Sequence, residues 1–257
     1  IYERLGVWRP KAAGGAGVIS EDEWTRQVHP QPQQPADLAL ALDINPARTH
    51  AAIVAVGPNP SGEGVFGFVV DYRAGTDWVP GRLAELRDKW KPVAIGLDAK
   101  GPAGSLLHDL AQRGITVPDD PDKPERGDLA IPTAADVAAA YGLFVDCVRQ
   151  RQFWHGDEPV LNIALAGADT RSLVGGSAWA RKGRTDISPL VGMTLGNWAL
   201  VTRAALVDQQ PPVGGRHHRE PVPDPALPRA VRDRQLPDRP LMALRDPNPL
   251  LATETIT

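Results

Sequence analysis

Three apolar runs, joined by short polar segments, open the patterned part of the chain. They are LALALDIN, HAAIVAVG and VFGFVVDYR, and a turn-rich PNPSGEG separates the second run from the third. Short runs of this kind, bounded by turn residues, predict strands. Because the connections are short, we expect the three strands to pair as an antiparallel meander.

Helical and extended patterns alternate after the meander. WVPGRLAELRDKWK and SLLHDLAQRG have apolar residues three and four positions apart and predict amphipathic helices. VAIGLDAK and ITVPDD predict a fourth and a fifth strand, and RSLVGGSAWARKG an extended segment. Three further helices are predicted, over TAADVAAAYGLFVDCVRQRQF, over LNIALAGADT and over ISPLVGMTLGNWALVTRAAL. Thr133 would cap the first of them. The order predicts an α/β fold: a mixed five-stranded sheet with helices on both faces.

The two ends of the chain differ from this middle. Residues 1–36 read as an N-terminal arm, in which Ser20 and Glu23 have the spacing of a capping box at the start of a short helix. Residues 207–257 are rich in proline and poor in periodic apolar positions, so we expect an extended or disordered tail. The main domain is therefore predicted to span residues 37–206.

Composition and charge narrow the function classes. The net charge of −3 argues against coating nucleic acid through bulk charge, although it allows a local basic patch. No apolar run is long enough for a membrane helix, and the N-terminus lacks a signal-peptide layout, so a cytoplasmic protein is expected. The single cysteine, Cys147, lies in a helical pattern and is interpreted as a buried structural thiol.

Two aspartates interrupt the ends of apolar strands. Asp43 closes LALALD and Asp98 closes VAIGLD, positions where a carboxylate is costly unless it meets solvent or a cation. Each alone could simply cap a turn. Together they indicate a carboxylate site for a hard divalent cation on adjacent strands. Asp71, at the end of FVVD, is either a fourth carboxylate of that site or a solvent-facing turn acid.

Three segments resemble the acidic motifs of a known nuclease family. LALDIN, IGLDAKGPAG and GRTDISPLVGMTLGNWAL are similar to those of the nuclease domain of bacteriophage large terminase subunits, and the similarity covers residues 37–206. The resemblance implies a ribonuclease H-like fold and an endonuclease that cuts double-stranded DNA during phage genome packaging. It implies that Asp43, Asp98 and Asp186 are catalytic and hold two Mg²⁺ or Mn²⁺ ions. Asp186 would otherwise be read as a capping acid of the last helix.

Basic residues near these motifs are candidate DNA contacts. Lys100, Arg181, Lys182 and Arg184 flank the acidic motifs and could bind phosphates, or they could form an ordinary solvated surface. His155, beside Trp154 at a predicted helix end, could approach DNA or be structural. Besides DNA, the resemblance would allow the portal protein and the small terminase subunit as partners, in the cytoplasm of a bacterial host.

The motif of an ATPase motor is missing from this sequence. A complete large terminase resembles an ATPase joined to this nuclease, but no G-x-x-x-x-G-K-[ST] phosphate loop occurs here. Residues 1–36 resemble the connection that follows the ATPase half, so we expect an excised nuclease domain or a truncated prophage remnant. Two alternatives stay open: a Holliday-junction resolvase of the same fold, and an inactive remnant that serves as a DNA-binding or assembly module.

Overall fold

A six-stranded mixed sheet forms the centre of the computed structural model, which describes residues 17–173 and 175–209. Its strands are Ala39–Ile44 (β1), His50–Pro58 (β2), Val65–Ala74 (β3), Ile95–Leu97 (β4), Leu129–Ala130 (β5) and Phe153–His155 (β6). They lie in the order β5-β4-β1-β2-β3-β6. The first three strands pair antiparallel, β4 and β5 run parallel to β1, and β6 runs parallel to β3. The predicted meander and the mixed α/β sheet are therefore confirmed.

Helices cover both faces of this sheet. The α-helices are Glu21–Thr25 (α1), Val79–Trp90 (α2), Leu107–Ala111 (α3), Ala134–Arg149 (α4), Pro159–Ala166 (α5) and Ser188–Thr202 (α6). Short 3-10 helices span Pro102–Leu106 and Ala204–Gln209, and a separate hairpin pairs Asp169–Leu173 (β7) with Gly176–Ala180 (β8). The predicted caps are present, because Ser20 and Thr133 each accept from the backbone three residues on.

Alternation along β1 assigns each face its own core. The leucines, such as Leu40 and Leu42, pack with α2 and α3. The alanines, Ala39 and Ala41, pack with α4, α5 and α6 on the other face. Because strand side chains alternate with a period of two, Asp43 follows the alanines and faces α6.

Small residues let α6 lie close against the sheet. A Cβ atom on Gly196 would come within 2.9 Å of a methyl group of Val56, and one on Gly192 within 3.2 Å of Val54. Val54 pairs with Ala41 and Val56 with Ala39, so α6 runs antiparallel to β1. The N-terminus of α6 therefore lies at the end of the sheet that contains Asp43, next to the last residue of β1.

Part of the predicted arm packs on the sheet. Trp24 of α1 is buried and stacks on the ring of His155, with the ring centroids 3.9 Å apart. The backbone of His29 donates to His155 O across 2.8 Å, and His155 N donates to Gln27 O across 3.1 Å. The described residues that precede β1 thus cover the outer edge of β6, which would otherwise expose unpaired backbone groups.

Two strand predictions were wrong in detail. The fifth strand is Leu129–Ala130. The segment ITVPDD, from Ile115 to Asp120, is irregular, and Leu129 N donates to its Thr116 O across 2.8 Å. The sheet also has a sixth strand, because Phe153–His155 leaves the preceding helix and pairs with β3. A left-handed residue at Arg151, with φ of 60°, ends the helical path before this strand.

The predicted tail, residues 207–257, lies outside the described residues except for its first three. Within the described part of the chain, no helix combines the length and apolar character that crossing a membrane would require.

Candidate active site

Asp43 is a buried carboxylate at the end of a central strand. Only 2% of the residue is exposed, and its neighbours along β1 are apolar. The strand places it in register with Ala52 of β2 and at the level where β4 ends. A charge in this position requires a compensating partner, because transfer from water to an apolar interior is costly.

Asp98 directly follows β4, the parallel neighbour of the strand that contains Asp43. Leu42 pairs with Leu97, so the two aspartates follow at the same level of adjacent strands, which lie about 4.8 Å apart. Asp98 is half-buried and lines a small cavity together with Val191 and Thr194 of α6. Its Oδ1 accepts a hydrogen bond of 2.9 Å from Lys100 N, which fixes the turn after β4. Both carboxylates therefore face the same helix.

Asp186 reaches the same end of the sheet from the start of α6. Its Oδ1 accepts hydrogen bonds from the backbone N–H of Ser188, at 2.8 Å, and from the Ser188 hydroxyl. Its Oδ2 accepts one from the hydroxyl of Tyr72, at 3.1 Å. Asp186 thus satisfies a free N–H of the first helical turn, as the capping interpretation expects, and also lines an open cleft of about 580 Å³ with Asp43.

Arg181 is the ionic partner of Asp43. Its Nη2 donates to Asp43 Oδ1 across 2.6 Å, and its Nη1 donates to Ile44 O across 3.3 Å. The residue directly follows β8 and is separated from Asp186 by the exposed or half-buried segment 182–185. Arg181 lines both the cleft that contains Asp43 and the small cavity that contains Asp98.

The electrostatics tie the three acids together. Burial raises the pKa of Asp43 to about 7, and the positive charge and hydrogen bond of Arg181 oppose this rise only in part. The negative charges of Asp186 and Asp98 raise the pKa of Asp43 further. Asp43 therefore lies within the electrostatic reach of both other aspartates.

The three carboxylates lie at the same end of the sheet, but their side chains are not arranged as a complete metal-coordination site. Among residues 17–173 and 175–209, no group of three or more His, Cys, Asp or Glu side chains is arranged to hold a metal ion as it stands. The oxygens of the aspartates are engaged instead by Arg181, Ser188, Tyr72 and Lys100. The donor set itself, three carboxylates at one edge, is the one that hard divalent cations prefer.

Similarity to other proteins is found at the level of structure. No protein-family model and no curated protein matches the sequence. The HK97 bacteriophage large terminase superposes with a TM-score of 0.55 and 16% identity over 71% of this chain and 43% of its own. The large terminase nuclease from thermophilic phage G20c with bound cobalt superposes with a TM-score of 0.50 and 10% identity over 72% of this chain and 97% of its own.

The chain has the fold of a large terminase nuclease domain. The predicted ribonuclease H-like architecture is thereby confirmed. The chain spans less than half the length of the HK97 protein and matches nearly the whole of the G20c nuclease, so the shared part is the nuclease region.

Tyr72 is a site residue of this terminase-like fold that sequence patterning missed. Residues 65, 67 and 69 of β3 face α6, so unbroken alternation would bring Asp71 to that face as well. A β-bulge intervenes, because Ile53 pairs with Asp71 while Val54 pairs with Val69. The extra residue exchanges the faces, and Tyr72 enters the cleft in register with Ala52 and hence with Asp43.

The same bulge removes Asp71 from the list of candidate ligands. Its carboxylate accepts a bond of 2.7 Å from Arg82 Nε on α2 and pairs with Arg73, on the opposite face of the sheet. Asp71 is therefore a structural ion-pair partner of α2 and does not reach the site.

The predicted DNA-contacting residues fall into two groups. Lys182 and Arg184 are exposed and line the cleft beside Asp43 and Asp186, and Lys100 is exposed two residues after Asp98. Arg181, by contrast, is occupied by Asp43. These positions suit phosphate contacts for three of the four basic residues.

His155 is not placed to contact DNA. It is fully buried, its Nε2 lies 3.1 Å from Trp24 O, and its Nδ1 accepts from Asp157 N at 3.2 Å. His155 pairs with Gly67 of β3, Gly67 pairs with Val56 of β2, and Val56 pairs with Ala39 of β1. His155 therefore lies at the opposite end of the sheet from Asp43. The structural interpretation of this histidine is the one that its surroundings support.

Proposed function

We propose that this protein is a metal-dependent endonuclease that cuts double-stranded phage DNA during genome packaging. The observation that carries the proposal is the gathering of Asp43, Asp98 and Asp186 at one end of a sheet with the terminase nuclease fold. The proposal concerns DNA cleavage alone.

The aspartates would hold divalent cations, with Asp43 shared between two Mg²⁺ or Mn²⁺ ions and Asp98 and Asp186 each completing one site. The similar G20c nuclease binds cobalt, also a divalent metal. Bound ions of this kind activate a water molecule and stabilise the leaving oxygen of a phosphodiester.

The remaining residues of the cleft would orient the acids and the substrate. Tyr72 and Ser188 hold both oxygens of Asp186, which fixes the direction of that carboxylate. Lys182 and Arg184 carry positive charge on the exposed rim of the cleft, and Lys100 is exposed two residues after Asp98, so a DNA backbone has access to all three. In the packaging machinery of a bacterial host cytoplasm, the further partners would be the portal protein and the small terminase subunit.

A plasmid-cleavage experiment tests the proposal. Supercoiled plasmid with Mg²⁺ or Mn²⁺ should become nicked, then linear, then fragmented, and EDTA should stop the reaction. Asp43→Asn should abolish cleavage because it removes the shared carboxylate. Asp71→Asn is a matched control from the next-but-one strand, and it should keep cutting because Asp71 faces α2.

The other outcomes separate the alternatives. Preferential cutting of a four-way DNA junction would indicate a resolvase. A protein that melts cooperatively but cuts nothing with any divalent ion would be an inactive remnant, and equal cutting by Asp43→Asn would reveal a contaminating nuclease.

A further inference from the structure

A positively charged side chain occupies the place where a cation would compensate Asp43. The guanidinium of Arg181 lies 2.6 Å from Asp43 Oδ1, and 19% of the arginine side chain is exposed against 2% for the aspartate. Both side chains of this ion pair are therefore largely inaccessible to solvent. Such a pair stabilises chiefly by preventing an uncompensated buried charge.

The backbone on either side of Arg181 is unequally anchored. On the N-terminal side, Trp179 is buried and donates from Nε1 to the Thr194 hydroxyl on α6 at 2.9 Å. On the C-terminal side, Lys182, Gly183 and Arg184 are all exposed. The arginine therefore extends from a fixed point toward Asp43, and its long side chain has open cleft beside it into which it could turn.

We infer that Arg181 competes with the divalent cation for Asp43, so that metal enters the site only as the guanidinium leaves Oδ1. The inference rests on the proposed function. The guanidinium occupies an oxygen that an incoming ion would coordinate, and its positive charge repels a divalent cation bound nearby in a poorly solvated site. Arg181 thus stabilises the metal-free protein and reduces its apparent affinity for metal, since only the fraction with a released Asp43 can bind.

Competition predicts two separate effects of Arg181→Gln, one on the stability of the metal-free protein and one on its affinity for Mn²⁺. The metal-free variant should be less stable than the parent, because Asp43 loses its partner. Its affinity for Mn²⁺ should nevertheless rise by roughly fivefold to a hundredfold, the range of typical coupling between two binding events. A purely structural arginine would give the first effect without the second.

Arg184→Gln is the matched control. It removes the same charge from the same cleft, but among the described contacts Arg184 makes no bond to a carboxylate. Calorimetric titration with Mn²⁺ and the Mn²⁺-induced rise in melting temperature should be measured for the parent and both variants. Arg181→Gln should bind Mn²⁺ more tightly than Arg184→Gln and show the larger rise.

Each alternative outcome is decisive. Equal Mn²⁺ affinity in Arg181→Gln and Arg184→Gln would overturn the competition while leaving a metal-dependent nuclease intact. No Mn²⁺ binding by any of the three proteins would overturn both the competition and the proposed function. Should Arg181→Gln fail to fold, Arg181→Lys keeps the charge with a shorter reach, and its Mn²⁺ affinity must then exceed that of the parent.

A measurement on the parent protein gives independent evidence. The side-chain Nε–H signal of Arg181 can be assigned by NMR from its loss in Arg181→Lys. Titration with Mg²⁺ should shift this signal as the guanidinium is released. A constant Arg181 signal, while the backbone signals of Asp98 and Asp186 move, would overturn the inference.

Discussion

The hydroxyl of Tyr72 donates a hydrogen bond of 3.1 Å to Oδ2 of Asp186, which joins β3 to the start of α6. The pKa of Tyr72 is raised to about 12, mainly by burial and further by the charge and the hydrogen bond of Asp186. The phenol therefore remains protonated, and remains a donor, throughout the pH range in which a nuclease would be assayed.

Tyr72→Phe should slow metal-dependent plasmid cleavage by roughly tenfold. A hydrogen bond to a charged acceptor contributes about 1.5–3 kcal/mol, and the lower end is expected because Ser188 still holds the other oxygen of Asp186. Initial cleavage rates at saturating Mn²⁺ give the measurement, and thermal melting checks the fold. Parental rates for Tyr72→Phe, with Asp186→Asn inactive, would show that the hydroxyl does not position Asp186.

Lys182→Ala should weaken DNA binding and reduce its dependence on salt. Removal of one phosphate contact is expected to make the slope of log K against log salt shallower by about 0.9. Lys89→Ala is the control, because Lys89 is equally exposed but lies on α2 across the sheet. Fluorescence anisotropy with a short duplex at several salt concentrations measures both slopes, and identical slopes would place DNA elsewhere on the surface.

Gly196→Ala and Gly142→Ala should change the free energy of unfolding in opposite directions. On α6, the added methyl would lie 2.9 Å from Val56, and overpacking of this kind costs about 1–3 kcal/mol. On α4, nothing lies within 4 Å of the added atom, so the higher helix propensity of alanine should stabilise by up to about 1 kcal/mol. Urea denaturation compares them, and a stabilised Gly196→Ala would refute the close packing of α6.

Acidification should destabilise the protein through His155. Burial lowers the pKa of this histidine below its ordinary 6.5, although Trp24 O and Asp157 act in the opposite direction. As pH falls through 6.5, the unfolded chain gains a proton that the folded one does not, so the free energy of unfolding decreases.

Asp43 contributes with the opposite sign, because a carboxyl whose folded pKa is raised to about 7 stabilises the fold as pH falls from that value. The His155 effect is therefore read as a difference between the parent and His155→Gln in urea denaturation from pH 8 to pH 5. The parent should lose more stability than the variant over this interval, and parallel curves would contradict a buried neutral His155.

The strand-ending aspartates could be predicted from sequence because their environment is local. Asp43 and Asp98 each end an apolar run, and the apolar residues directly before them are enough to mark each acid as unusual. Their side-by-side placement followed from the parallel pairing that an α/β pattern implies. The roles of all three acids as metal ligands stay a prediction.

The contacts around those aspartates could not be predicted because they depend on distant pairing. The bulge that exchanges Asp71 for Tyr72 arises only when β3 pairs with β2, and the amino-acid pattern of FVVDYR contains no mark of it. The ion pair of Arg181 with Asp43 joins residues that meet only once the β8 segment and β1 are in place. The strand Phe153–His155 differs from the predicted helix end, because three residues are too few to establish a period.

The burial of α6 on nearly all sides has a consequence for how the proposed cleavage activity would be lost on heating. Twelve of its residues are buried, and Asp186 is bonded directly to its first turn. That carboxylate is therefore fixed to the core through α6, although the exposed residues 182–184 precede it in the same cleft. Irreversible loss of cleavage with temperature should therefore coincide with the cooperative melting of the whole domain, and an inactivated yet folded state should not accumulate below it.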